Sequence, residues 1–93
     1  MRDLRLEDFT ARTGTEFAVE ANGVAARLVL EEAAPLGTSI RAGGSFSLTF
    51  RGPVEPVLPQ ACYGFDLDGE RVDIFVVPIS QERDGTRYQA IFN

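Results

Sequence analysis

The stretch FDLDGERVDIFVVP, residues 65–78, sets Asp66, Asp68, Glu70 and Asp73 close together and admits two readings, a cation-binding loop or a tight β-turn. Register decides between them. With Asp68-Gly69 as a two-residue turn, Phe65 faces Val72, Tyr63 faces Ile74 and Ala61 faces Val76, so apolar residues meet on one side while Asp66 meets Arg71 on the other. A type I′ turn holds both central residues at positive φ, which Asp tolerates and Gly favours. A calcium loop would need a longer acidic ladder closed by a distant Glu, with no strand resuming just after the glycine. Here Val72 opens a β-rich run, so the carboxylates belong to a hairpin and no metal is assigned to them.

The same test applies outward along the chain. In EFAVEANGVAARLVL, residues 16–30, a turn at Asn22-Gly23 pairs Ala21 with Val24, Val19 with Ala26 and Phe17 with Leu28, all apolar. Near Asp84-Gly85 a two-residue loop would turn the face of Val72, Ile74 and Val76 outward. A three-residue loop of Arg83, Asp84 and Gly85, with Gly85 in the left-handed region, keeps the face continuous by pairing Val76 with Phe92 and Pro78 with Ala90. Strands 61–67, 70–79 and 87–92 then form a meander. SFSLTF, residues 45–50, alternates Phe46, Leu48 and Phe50 with hydroxyl residues and reads as a half-buried strand. The Gly- and Pro-bearing segments 31–44 and 51–60 read as long loops. No repeat is evident. LEDFTARTG, residues 6–14, allows a short helical turn whose Leu6 and Phe9 cap the core.

These runs predict one all-β domain over residues 1–93: six antiparallel strands built from hairpins, as a compact barrel or a two-sheet sandwich. At 93 residues there is room for a single core. The net charge is −5, and the nine basic residues are all Arg without a run, so no footprint for nucleic acid is present. Absence of His removes the commonest general base and metal ligand. Cys62 is the one cysteine, which excludes an internal disulfide and fits a reducing cytoplasm. The charged beginning, MRDLRLEDF, lacks the apolar stretch of a signal peptide or a membrane span. No cofactor is implied.

Other candidate sites have bland explanations. Gly43-Gly44-Ser45 lacks the Lys and the helix of a phosphate loop and reads as the start of a strand. Glu31 and Glu32 fall on opposite faces of a strand end and so do not form a glycosidase pair. Cys62 has no His or Lys to activate it and reads as a half-buried small hydrophobe. A hydrolase would have to draw on Glu55 with Ser39 or Arg41 in the long loops.

One feature is not consumed by the core. On the outer face of the meander Cys62 neighbours Phe75 and Val77 neighbours Ile91, an apolar strip where a solvated sheet would be polar. The expectation is that the second sheet, the N-terminal segment or another protein, a second copy included, shields it.

FSLTFRGP (46–53), LPQACYGFDLDG (58–69), VDIFVVPI (72–79) and YQAIFN (88–93) together resemble a family of small bacterial domains with no assigned activity, from about Phe9 to the C-terminus. The shared elements are the Phe-Ser-Leu-x-Phe strand, Pro59-Gln60 with Tyr63, the Phe-x-Val-Pro-Ile strand and the closing Tyr-x-x-x-Phe. The resemblance implies genes set beside phage-tail-collar proteins, and hence a phage-tail-like assembly, with no catalytic residues. The leading expectation is therefore a non-enzymatic structural or protein-interaction module, cytoplasmic or incorporated into a tail-like particle. Its competitor is a small-ligand-binding β-barrel with Tyr63, Phe65, Tyr88 and Phe92 around a cavity.

Overall fold

The computed structural model describes residues 4–37 and 44–92. Its elements are α1 (Glu7–Thr10), β1 (Glu16–Ala21), β2 (Val24–Pro35), β3 (Phe46–Gly52), β4 (Ala61–Leu67), β5 (Glu70–Glu82) and β6 (Gly85–Phe92). All strand pairs are antiparallel, and the sheet closes on itself in the order β1-β2-β3-β6-β5-β4. The barrel alternative is the one adopted.

The first two hairpins have the registers their sequences predict. Asn22 and Gly23 lie at φ 52° and 81°, and Asp68 and Gly69 at 57° and 85°, both type I′ pairs. Phe17 faces Leu28, Tyr63 faces Ile74, and Asp66 faces Arg71. The acidic groups of the opening stretch are engaged locally. Asp66 accepts the Gly69 N–H at 2.8 Å, and Asp68 forms an ion pair with Arg12.

The last hairpin departs from its expected register. Arg83 and Asp84 alone form the turn, Glu82 faces Gly85, and Val77 faces Gln89 rather than Ile91. Ile79 is an extra residue bulged out of β5, next to Pro78, which has no N–H for the ladder. Gly85 is a strand residue at φ 148° and not a left-handed turn residue. A Cβ there would stand 2.5 Å from the Gly52 carbonyl oxygen, so the positive φ and close backbone approach together require glycine.

A second difference concerns β2, which runs on through Glu31 to Pro35 where a loop was expected. A bulge at Glu31 lets it continue beside β3, so Ala33 faces Leu48 and Pro35 faces Phe46. Both long strands thus pair with one neighbour in their first half and another in their second, and each bulges near the change. Strands that switch sheets at bulges make the corners of a closed two-layer barrel.

These registers contain an internal two-fold that the sequence does not advertise. The offset carrying Val19 onto Phe65 also carries Phe17 onto Tyr63, Asn22-Gly23 onto Asp68-Gly69, Leu28 onto Ile74 and Leu30 onto Val76. Val19 itself faces Phe65, as a residue on a two-fold axis must face its equivalent. Leu30 faces Phe50, and one residue beyond Val77↔Gln89 Val76 stands level with Ala90, so Phe50 corresponds to Ala90 and Thr49 to Gln89, which again face each other. The expectation of no repeat is corrected: β1–β3 and β4–β6 are two copies of one three-stranded plan.

Inside, the aromatic rings fill the barrel. Phe50 and Phe65 have centroids 5.2 Å apart, with Phe17 against both. One end is plugged by α1, whose buried Phe9 lies 6.0 Å from Phe46 and 6.4 Å from Phe92, as the sequence suggests for this segment. The other end is crossed by residues 53–60, which link the halves and insert Leu58. The Leu58 N–H donates to the Tyr88 hydroxyl at 2.8 Å, and the Tyr63 hydroxyl donates to the Pro59 carbonyl at 2.6 Å. No helix among the described residues is long and apolar enough to cross a membrane.

Candidate interaction face

The outer side of a barrel strand is fixed by alternation: once Tyr63, Ile74 and Ala90 point inward, Cys62, Phe75 and Ile91 must point out. Cys62 stands directly opposite Phe75, and Ile91 stands opposite Ser47 on the neighbouring β3. Phe75 and Ile91 are each 52% exposed, Cys62 is exposed and Val77 half-buried. The strip is therefore present, and none of the other described residues covers it, the N-terminal segment included. Cys62 is more open than the half-buried position expected of it. Its neighbours also differ, because the register of the last hairpin places Val77 beside Gln89. Ile79, 52% exposed at its bulge, lies on the same strand and was not anticipated. Its signal was Pro78, since a proline within a strand is confined to edges and bulges.

The two-fold puts a control beside this strip. Cys62, Phe75 and Ile91 correspond to Glu16, Val29 and Arg51, and Val77 falls at the level of the bulge that holds Glu31 and Glu32. In the first half this surface is polar except at the half-buried Val29. Glu31 bridges Arg51 at 3.1 Å and Arg87 at 2.7 Å, and Glu16 takes Arg27 at 3.1 Å. Arg87 also holds Asp84, and hydrogen bonding in that pair keeps the Asp84 carboxyl below, and the Arg87 guanidinium above, their ordinary values. The hydroxyl of Tyr63, beneath the strip, is pushed up by burial.

Beside the strip lies a hollow of about 610 Å³ across the β1–β4 seam. Its floor is Ala18, Ala25 and Gly64, small residues at outward positions. Arg71 lies flat over Gly64, where a Cβ would meet its Nε at 2.3 Å, and reaches Glu20 on β1 at 3.5 Å. Neither hollow nor floor was singled out by the sequence, although Ala18 and Gly64 are equivalents under the two-fold.

Of the remaining candidates, Glu55 is exposed on the 53–60 crossover. Ser39, Arg41 and Gly43 lie outside the described residues. Glu31 serves as the bulge residue of β2 and as the carboxylate shared by Arg51 and Arg87.

A family model matches residues 4–92, nearly the whole described chain. This chain belongs to the family described as a domain of unknown function, DUF6916. The resemblance to a small domain without assigned activity is thereby shown. No curated protein and no solved structure matches this chain.

Proposed function

We propose that this DUF6916 domain is a non-enzymatic protein-interaction module that contacts its partner through the strip of Cys62, Phe75, Val77 and Ile91. The observation that carries this reading is the contrast with the equivalent positions of the first half. There the same backbone plan is satisfied by Glu16, Val29, Glu31 and Arg51, so the fold does not demand an apolar outer face. An apolar patch that the fold does not require is kept for contact. A cytoplasmic component of a phage-tail-like assembly is the setting that the family resemblance favours.

Packing supports this over the small-ligand barrel. The aromatic residues proposed to surround a cavity are committed elsewhere: Phe65 to Phe17 and Phe50, Phe92 to Phe46 at 4.5 Å, and the two tyrosine hydroxyls to the 53–60 crossover.

The test is co-expression of the domain with the proteins encoded beside it, followed by gel filtration. A neighbour should co-elute with the wild-type domain and be lost from Phe75→Glu. Because Phe75 is largely exposed, that variant should keep its stability within about 0.5 kcal/mol, the usual range for surface changes. Co-elution indifferent to Phe75 and Ile91, or none at all, would sink the proposal.

A further inference from the structure

The strip is bordered by charge on one side only. Past Val77 and Ile91 the adjoining outward positions are Gln89, Thr49 and Ser47, none of them charged. On the other side Asp73 stands next but one to Phe75 along β5, and around the hollow beyond it lie Glu20 and Asp66, with Glu16 paired to Arg27 at 3.1 Å. Four carboxylates thus meet two guanidinium groups, Arg27 and Arg71. Because Arg27 is held by Glu16, Arg71 alone serves the rest. It reaches Glu20 at 3.5 Å and Asp73 at 3.4 Å, both long beside the roughly 2.7–2.9 Å of a charge-assisted hydrogen bond, while Asp66 turns to the Gly69 N–H. The Glu20 and Asp73 side chains stay 48% and 56% exposed. The two-fold again supplies a control: Asp73 faces Gly64 as Arg27 faces Ala18, so the backbone plan accepts either sign of charge at this position.

We infer that the strip receives a basic protein segment, whose apolar side chains cover Phe75 and Ile91 while an arginine or lysine beside them reaches Glu20 and Asp73. This rests on the interaction reading above and names the chemistry of its partner. Complementary charge at the border of an apolar contact speeds encounter and rejects partners of the wrong sign. The chain's net charge of −5 adds attraction of the same sign at longer range. It repels phosphate backbones and anionic headgroups, which leaves a protein as the cation carrier.

The test uses the neighbouring gene product that co-elutes with the domain, titrated by calorimetry at rising sodium chloride. Affinity should fall as salt rises. Asp73→Asn should weaken binding about two- to fivefold and Arg71→Gln should tighten it by a similar factor, the scale of one exposed ion pair. Phe75→Ala removes the anchor without adding charge and should weaken binding at every salt concentration. Thermal melts check that each variant is folded. An affinity that salt leaves unchanged or improves, or Asp73→Asn and Arg71→Gln that act in the same direction or not at all, overturns the inference. If Phe75→Ala still weakens binding in that case, the interaction module stands with a partner of other chemistry. If no neighbour binds through Phe75, both readings fall.

Discussion

The half made of β1–β3 and the half made of β4–β6 share their first turn, their register and a bulged corner strand, yet they solve the same outer surface differently. The first half places Glu31 between Arg51 and Arg87 on it, and the second places Phe75, Val77 and Ile91 there. Interiors differ as well. Phe50 corresponds to Ala90 and Leu48 to Tyr88, so bulk lost at one equivalent position is supplied at the other. A two-fold backbone therefore does not require two-fold side chains, and where the halves diverge on the outside the divergence is free to serve binding.

The sharpest way to break this comparison is in the core. Phe50→Ala should cost about 3–5 kcal/mol in urea unfolding, the usual loss for a buried phenylalanine. If Phe50 and Ala90 are equivalent, adding Ala90→Phe should recover at least about 1 kcal/mol, a coupling of the size seen between residues sharing one cavity. Ala90→Phe that merely adds its own cost would weaken the two-fold account of the core.

Next is the hydroxyl that Leu48 lacks and Tyr88 carries. Tyr88→Phe leaves the buried Leu58 N–H without its partner and should cost about 1–3 kcal/mol. Amide exchange at Leu58 should quicken with it. An unchanged Leu58 would mean that the plug is held by its leucine side chain alone.

A smaller effect belongs to the polar surface of the first half. Glu31→Gln removes the carboxylate shared by two arginines and should cost about 1 kcal/mol at low salt, less as ionic strength rises. A loss independent of salt would assign Glu31 a role in the β2 bulge and not in charge pairing.

The smallest change is in acid. Asp84 titrates lower in the folded chain than in the unfolded one because it is hydrogen-bonded to Arg87. Its contribution is complete above the unfolded carboxylate value of about 3.9 and disappears as pH falls through the lower folded value. Asp84→Asn should therefore lower stability slightly at neutral pH, leave it unchanged once the carboxyl is protonated in both states, and so flatten the acid limb of the stability curve below about pH 4. An unaltered acid limb would place the pair wholly in solvent.

How far such contrasts could be read from the chain depends on which residues report geometry. Asn22-Gly23 and Asp68-Gly69 impose positive φ at two successive positions, and only one register then matches apolar to apolar, so two hairpins were legible in full. The last hairpin was not, because the bulge at Ile79 inserts a residue that alternation cannot count. Gly85, expected in the αL position of a three-residue loop, is demanded by a positive φ within the strand and by the Gly52 carbonyl, a contact between strands distant in sequence. Pro35 and the glycines after it disguised the end of β2, because a proline withholds its N–H from the ladder and reads as a strand breaker. The repeat escaped notice because its equivalents agree in kind and seldom in identity: Phe17 with Tyr63, Glu20 with Asp66, Leu28 with Ile74. The strip was readable from period-two alternation. The hollow was not, since a depression is made by what Ala18 and Gly64 leave out.

The 53–60 crossover, which threads Leu58 into the barrel, also joins two equivalent units into one polypeptide. Separate identical subunits must change both copies of a position together, so a greasy residue acquired for recognition appears on each and invites unlimited association. Carrying both units on one chain lets the two positions differ. Glu16 can stay charged while Cys62 does not, and Arg51 can keep its carboxylate while Ile91 abandons one, which confines stickiness to a single side of the particle.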